Sequence, residues 1–141
     1  MTEVSKVTVD MGLLDGLTAI ASRAAAAIVA IAAPALAQRT KPDQSPVTAA
    51  DEASQDAIFE GLRRLLPGVP VVSEEATEAV APASLGRQFI LVDPLDGTRE
   101  LLAGRDEFTV NIALVSDGQP IAGVVAAPAR GIVWRGMVGA G

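Results

Sequence analysis

The segment Asp93-Pro94-Leu95-Asp96-Gly97-Thr98 concentrates the residue types that do oxygen-based chemistry. A short apolar run delivers Asp93, Pro94 stiffens the chain, and Asp96 follows three residues later, so both carboxylates can face one point. Gly97 permits a tight backbone that leaves amides near a bound anion, and Thr98 adds a hydroxyl. A second pair of acids, Glu74-Glu75, closes another short apolar run. Three carboxylates at strand ends, a backbone carbonyl and a hydroxyl, with no nitrogen or sulfur donor, suit Mg²⁺ or Mn²⁺ rather than Zn²⁺. Each piece also has a plainer reading. Asp, Pro and Gly dominate ordinary turns, Glu74-Glu75 alone is a solvated strand end, and Asp51 alone is a helix cap.

Composition narrows the chemistry further. The 141-residue chain has no histidine and no cysteine. This excludes disulfides, Cys/His zinc sites, cysteine nucleophiles and Ser-His-Asp arrangements. Seventeen acidic residues against eleven basic ones give a net charge of −6, the wrong balance for a nucleic-acid backbone binder. Half the residues are hydrophobic, which is too many for a disordered chain, and the length fits one domain.

The elements that must position these groups are legible from periodicity. Residues 11–39 read as one helix with Leu13, Leu14, Leu17, Ile20, Ile28, Val29 and Ile31 on it, ended or kinked by Pro34. Its uninterrupted apolar run, Ala24 to Ala37, is 14 residues, short of the roughly 20 that span a bilayer. The preceding Glu3, Asp10 and Asp15 are wrong for a secretory leader. A packed core helix is the expectation, with a signal or peripheral membrane segment as the alternative. Residues 38–46 read as a polar loop. Thr48 to Asp51 has the signature of a helix start, and that helix runs to about Leu66, where Pro67-Gly68 stops it. Strands are expected at 69–73, 89–92, 109–115, 121–126 and 132–137, with a turn at Ser116-Asp117-Gly118 and a loop or short helix at 76–86. Helices followed by a strand meander imply an α+β fold, with helices packed on one face of a mostly antiparallel sheet.

Four segments taken in order, Ser45–Asp51, Val72–Glu75, Asp93–Thr98 and Phe108–Leu114, resemble the inositol monophosphatase superfamily. Within it, Asp96-Gly97-Thr98-Arg99-Glu100 and Phe108-Thr109-Val110-Asn111-Ile112-Ala113-Leu114 are most similar to the 3'(2'),5'-bisphosphate nucleotidases of the CysQ type. The resemblance covers about residues 40–138. It implies that residues 1–141 form the N-terminal metal- and phosphate-binding αβ half of an αβαβα sandwich. Trp134 is followed by Arg135 rather than by the Asp of the family's later Trp-Asp motif. The chain is therefore expected to be truncated, without the C-terminal domain.

Carried over by position, the resemblance makes Glu74, Asp93 and Asp96 metal ligands, joined by the Leu95 carbonyl, with two or three Mg²⁺ ions (or Mn²⁺) between them and the substrate. Asp51 and Thr98 would position and activate the attacking water, Gly97 and Thr98 would hold the substrate phosphate, and Glu75 would stand behind the ligands. The implied activity is a cytoplasmic, Mg²⁺-dependent, Li⁺-sensitive phosphatase that converts adenosine 3',5'-bisphosphate to AMP and phosphate in sulfur assimilation. The alternatives are an inositol monophosphate or sugar-bisphosphate phosphatase of the same superfamily, or an inactive fragment. Haloacid-dehalogenase chemistry needs Asp-x-Asp, whereas this chain has Asp-x-x-Asp with the acid pair before it. A sheet edge left by truncation would favour a homo-oligomer, and a net charge of −6 would make phosphate binding depend on the metal.

Overall fold

The computed structural model describes residues 7–38, 46–73, 87–105 and 107–139. Helix α1 (Met11–Gln38) follows from apolar residues recurring every three or four positions. Leu13, Leu14, Leu17, Ile20, Ala21, Ala24, Ala25 and Ile28 form its buried stripe. The helix runs four residues past Pro34, where the sequence suggested an end or kink. Over Met11–Ile31 it is long and apolar enough to cross a membrane. Its buried stripe nevertheless belongs to the same core as α2 and the sheet, as expected of a packed helix.

Helix α2 (Pro46–Leu65) starts two residues before Thr48. Proline suits a first helical turn, where its missing N–H has no intrahelical partner to lose. This earlier start corrects the capping alternative for Asp51, which lies inside the helix, five residues beyond its first. Ala50, Ser54, Ile58, Leu62 and Leu66 make a buried row at four-residue spacing. The two helices pack closely because each places a glycine against a bulky partner. A Cβ on Gly61 would come within 2.6 Å of Ile20, and one on Gly16 within 2.7 Å of Leu65.

The remaining elements are the short helix α3 (Thr98–Leu102), a 3₁₀ turn (Pro128–Arg130) and the strands β1 (Val71–Ser73), β2 (Gln88–Asp96), β3 (Thr109–Ser116), β4 (Gln119–Ala127) and β5 (Ile132–Met137). The strands form one sheet in the order β1-β2-β3-β4-β5. The β1–β2 pairing is parallel and the other three are antiparallel, so the α+β expectation holds, with a mixed sheet. A two-residue turn joins β3 to β4, with positive φ at Asp117 (50°) and Gly118 (80°), as tight hairpins require. Arg87 donates to Asp117 across 3.0 Å, and that hydrogen bond, with the carboxylate's charge, raises the guanidinium pKa.

Ile90, Val92, Val110, Ile112, Leu114, Ala122 and Val124 point into the core beneath α1 and α2. Arg135 of β5 reaches α1, donating to Asp15 at 2.7 Å and to Thr18 at 3.2 Å. The alternate residues face away from these helices. Among them, Leu91 is 44% exposed and Trp134, opposite Val125, is 52% exposed.

Two expectations about the acidic segment change. Strand β2 does not stop at Val92 but continues through Asp96, and the short helix α3 follows it. Asp93 and Asp96 are thus strand residues rather than turn residues. The expected loop at 76–86 lies outside the described residues, as do Glu74 and Glu75.

Candidate active site

Asp93 pairs with Asn111 and Asp96 pairs with Thr109, with a register shift between them. Three residues of β2 therefore span two of β3, which is a β-bulge with one extra residue. In a regular strand, residues three apart point to opposite faces. The extra residue reverses that parity, and Asp93 and Asp96 both line one cleft of 380 Å³ together with Asn111, Leu91, Gly123 and Val125. Proline is tolerated within the strand because the bulge removes the ladder position that would have needed its N–H. Asp93 Oδ1 accepts a hydrogen bond from the Leu95 amide at 3.3 Å. Pro94 and Leu95 are buried, while Asp96 is exposed.

Helix α2 is tied to the bulge by one hydrogen bond. Ser54 Oγ donates to the Pro94 carbonyl at 2.7 Å, and Ser54 has no solvent exposure. A buried carbonyl left without a donor costs about 1–3 kcal/mol, so this bond satisfies a group that the bulge would otherwise strand. A second hydroxyl, Ser73 Oγ of β1, donates to Gln55 Oε1 at 3.1 Å. Asp51 lies three residues before Ser54, on the same side of α2, with its Oδ1 shut off from solvent.

After the bulge the chain turns through Gly97, whose φ is +90°. A Cβ here would stand 3.1 Å from both the Glu107 carbonyl oxygen and Phe108 Cα. Glycine is required on both counts. The Gly97 carbonyl accepts from the Leu101 amide at 3.0 Å to start α3, and Thr98 is exposed in its first turn.

The structure thus brings Asp93 and Asp96 together, anchors the segment carrying Leu95 to the helix carrying Asp51, and places Gly97 and Thr98 immediately after them. Asp51 does not line the cleft with the two strand carboxylates. Among the described residues, no three acidic side chains are close enough to hold an ion by themselves. Ser73, the last described residue of β1, pairs with Val92, the residue before Asp93.

Ser54, bonded to the bulge, and Asn111, which lines the cleft, were not among the candidate site residues drawn from the motifs. Both carry a signal. Ser54 is the one polar member of an otherwise apolar row on α2, and Asn111 alternates with Val110 and Ile112 and so must face the opposite side.

The model of the inositol monophosphatase family matches residues 12–141. The 3'(2'),5'-bisphosphate nucleotidase CysQ of Salmonella typhimurium is 48% identical over 99 residues, covering 70% of this chain and 40% of that protein. Histidinol-phosphatase of Mycobacterium tuberculosis is 42% identical over 102 residues, covering 72% of this chain and 38% of that protein. The crystal structure of CysQ from Bacteroides thetaiotaomicron superposes with a TM-score of 0.78 at 32% identity, covering 92% of this chain and 47% of that one. The fold is shared with that structure, and the chain belongs to the inositol monophosphatase family. Within the family it is CysQ-like, and it spans less than half the length of these relatives.

Proposed function

We propose that residues 1–141 supply the metal- and phosphate-binding part of a Mg²⁺-dependent phosphomonoesterase that hydrolyses adenosine 3',5'-bisphosphate to AMP and phosphate. The observation that carries this reading is the bulge, which turns Asp93 and Asp96 into one cleft. The donor set fits a hard cation: carboxylates and a backbone carbonyl, all oxygen. Asp93, Asp96 and the Leu95 carbonyl would hold it together with Glu74, which follows Ser73 in the chain, while Glu75 would support that set from behind. Bound there, Mg²⁺ would neutralise phosphate charge and lower the pKa of a water.

The remaining roles belong to the chain's own groups. Asp51, with Thr98, orients the attacking water and takes its proton. The amides of Gly97 and Thr98 bind the substrate phosphate, and the positive φ of Gly97 allows that backbone path. No covalent intermediate is needed, in keeping with a chain that has no histidine and no cysteine. A cytoplasmic location in sulfur assimilation accompanies the nucleotide reading.

The 42% identity to a histidinol-phosphatase favours a second reading, in which the same carboxylates serve a different small phosphomonoester. The test is phosphate release with and without Mg²⁺ from adenosine 3',5'-bisphosphate, histidinol phosphate and inositol 1-phosphate in parallel. Metal-dependent release from the nucleotide alone supports the first reading. Release from histidinol phosphate or inositol 1-phosphate instead replaces the substrate, and no release from any of the three rejects activity for this chain.

A further inference from the structure

We propose that Ser54 is a positioning residue, whose hydrogen bond to the Pro94 carbonyl holds the Asp93–Asp96 bulge in a fixed relation to Asp51. The inference rests on the reading of those carboxylates as a metal and water-activating site. Asp51 and the bulge belong to different elements, α2 and β2. Where β2 departs from its register with β3, the ladder no longer defines the path of Pro94 and Leu95. The Ser54 hydroxyl replaces that constraint, at 2.7 Å and fully buried.

The rest of its row, Ala50, Ile58, Leu62 and Leu66, is apolar. An apolar side chain would fill the position without the cost of burying a hydroxyl. What the serine adds is therefore the bond, and the bond lies one helical turn from Asp51. Helix α2 is itself held at other points, by Gln55 to Ser73 of β1 and by the close approach of Gly61 to Ile20 of α1. A helix fixed in this way makes a firm reference for a strand segment that lacks one. Displacement of a reacting group by about 1 Å can cost a hundredfold in rate, so the fixing has functional consequence.

The experiment compares the whole chain with its Ser54→Ala and Ile28→Val variants by amide hydrogen exchange, by calorimetric titration with Mn²⁺ and by thermal melting. In Ser54→Ala, the amides of residues 95–98 should exchange at least roughly tenfold faster while those of β3 and β4 hold their rates. Its Mn²⁺ affinity should fall about tenfold. Ile28→Val, a core change on α1 at a fully buried residue, should lower the melting temperature and move neither of the other readouts.

Unchanged exchange at 95–98 in Ser54→Ala overturns the proposal. So does an equal loss of Mn²⁺ affinity in Ile28→Val, because the effect would then be general loosening. Failure of the parent chain to take up Mn²⁺ rejects the metal reading instead, and the exchange comparison still decides whether Ser54 sets the segment.

Discussion

Asp93 stands directly opposite Asn111 across β2 and β3, yet Asp96, three residues further along, stands opposite Thr109, only two residues back. That single unmatched residue decides which way the carboxylates point. Without it, one acid would face the cleft and the other would be directed beneath the helices, where an unpaired carboxylate is costly to bury.

The first prediction tests the carboxylate assignment. Asp93→Asn preserves shape and removes charge, so the fold should survive and Mg²⁺-dependent phosphate release should fall by at least about a hundredfold, since loss even of groups behind a metal ligand costs 10–100-fold. Release assays at saturating Mg²⁺, with circular dichroism as the folding control, check this. Undiminished turnover would remove Asp93 from the ligand set.

Metal removal should be visible in stability as well. An ion bound by the folded state alone, at a concentration a hundred times its Kd, stabilises by about 2.7 kcal/mol, which for a chain of this size is a rise in Tm of roughly 5–10 °C. Adding Mn²⁺ should raise the Tm of the parent chain, and EDTA should reverse the rise. The double variant Asp93→Asn, Asp96→Asn should melt at the same temperature in both conditions.

The fold was legible where a period repeats over many residues and obscure where one residue changes the pattern. The buried stripe of α1 and the alternation of Val110, Ile112 and Leu114 were readable because burial imposes those periods directly. The strand path through Pro94 was not, because proline and glycine together suggest a turn, and only the pairing with β3 shows a bulge. Pro46 opens α2 two residues before the hydroxyl-to-acid signature, and that shift takes Asp51 out of the capping position. The parallel β1–β2 pairing joins elements separated by a stretch with no clear period, so local pattern could not assign its direction. The candidate site residues stood out as motifs. The shared direction of Asp93 and Asp96 depends on register with β3, which a motif does not contain.

Gly97 gives a stability prediction with an internal control. Gly97→Ala combines a left-handed backbone with a Cβ 3.1 Å from two backbone atoms, and should cost about 2–3 kcal/mol in urea unfolding. Gly104 has a φ of +72° but open space around the added Cβ, so Gly104→Ala should cost only about 1 kcal/mol. Equal losses in the two variants would show that the close approach of Glu107 and Phe108 carries no energy.

The last prediction concerns the helix pair that underlies the site. A Cβ on Gly61 would lie 2.6 Å from Ile20 Cγ1, and Ile20 is only 2% exposed, with no room to withdraw. Gly61→Ala should therefore destabilise by about 1–3 kcal/mol, despite the better helix propensity of alanine. Ile20→Ala alone opens a cavity and should cost about 2–5 kcal/mol. In the double variant the new methyl enters the space that Ile20 vacates, so the combined loss should be smaller than the sum of the two single losses. Denaturant unfolding of the four proteins measures the coupling. Strict additivity would mean that α1 and α2 shift apart to admit the methyl group, which would in turn displace Ser54 and the bulge it holds.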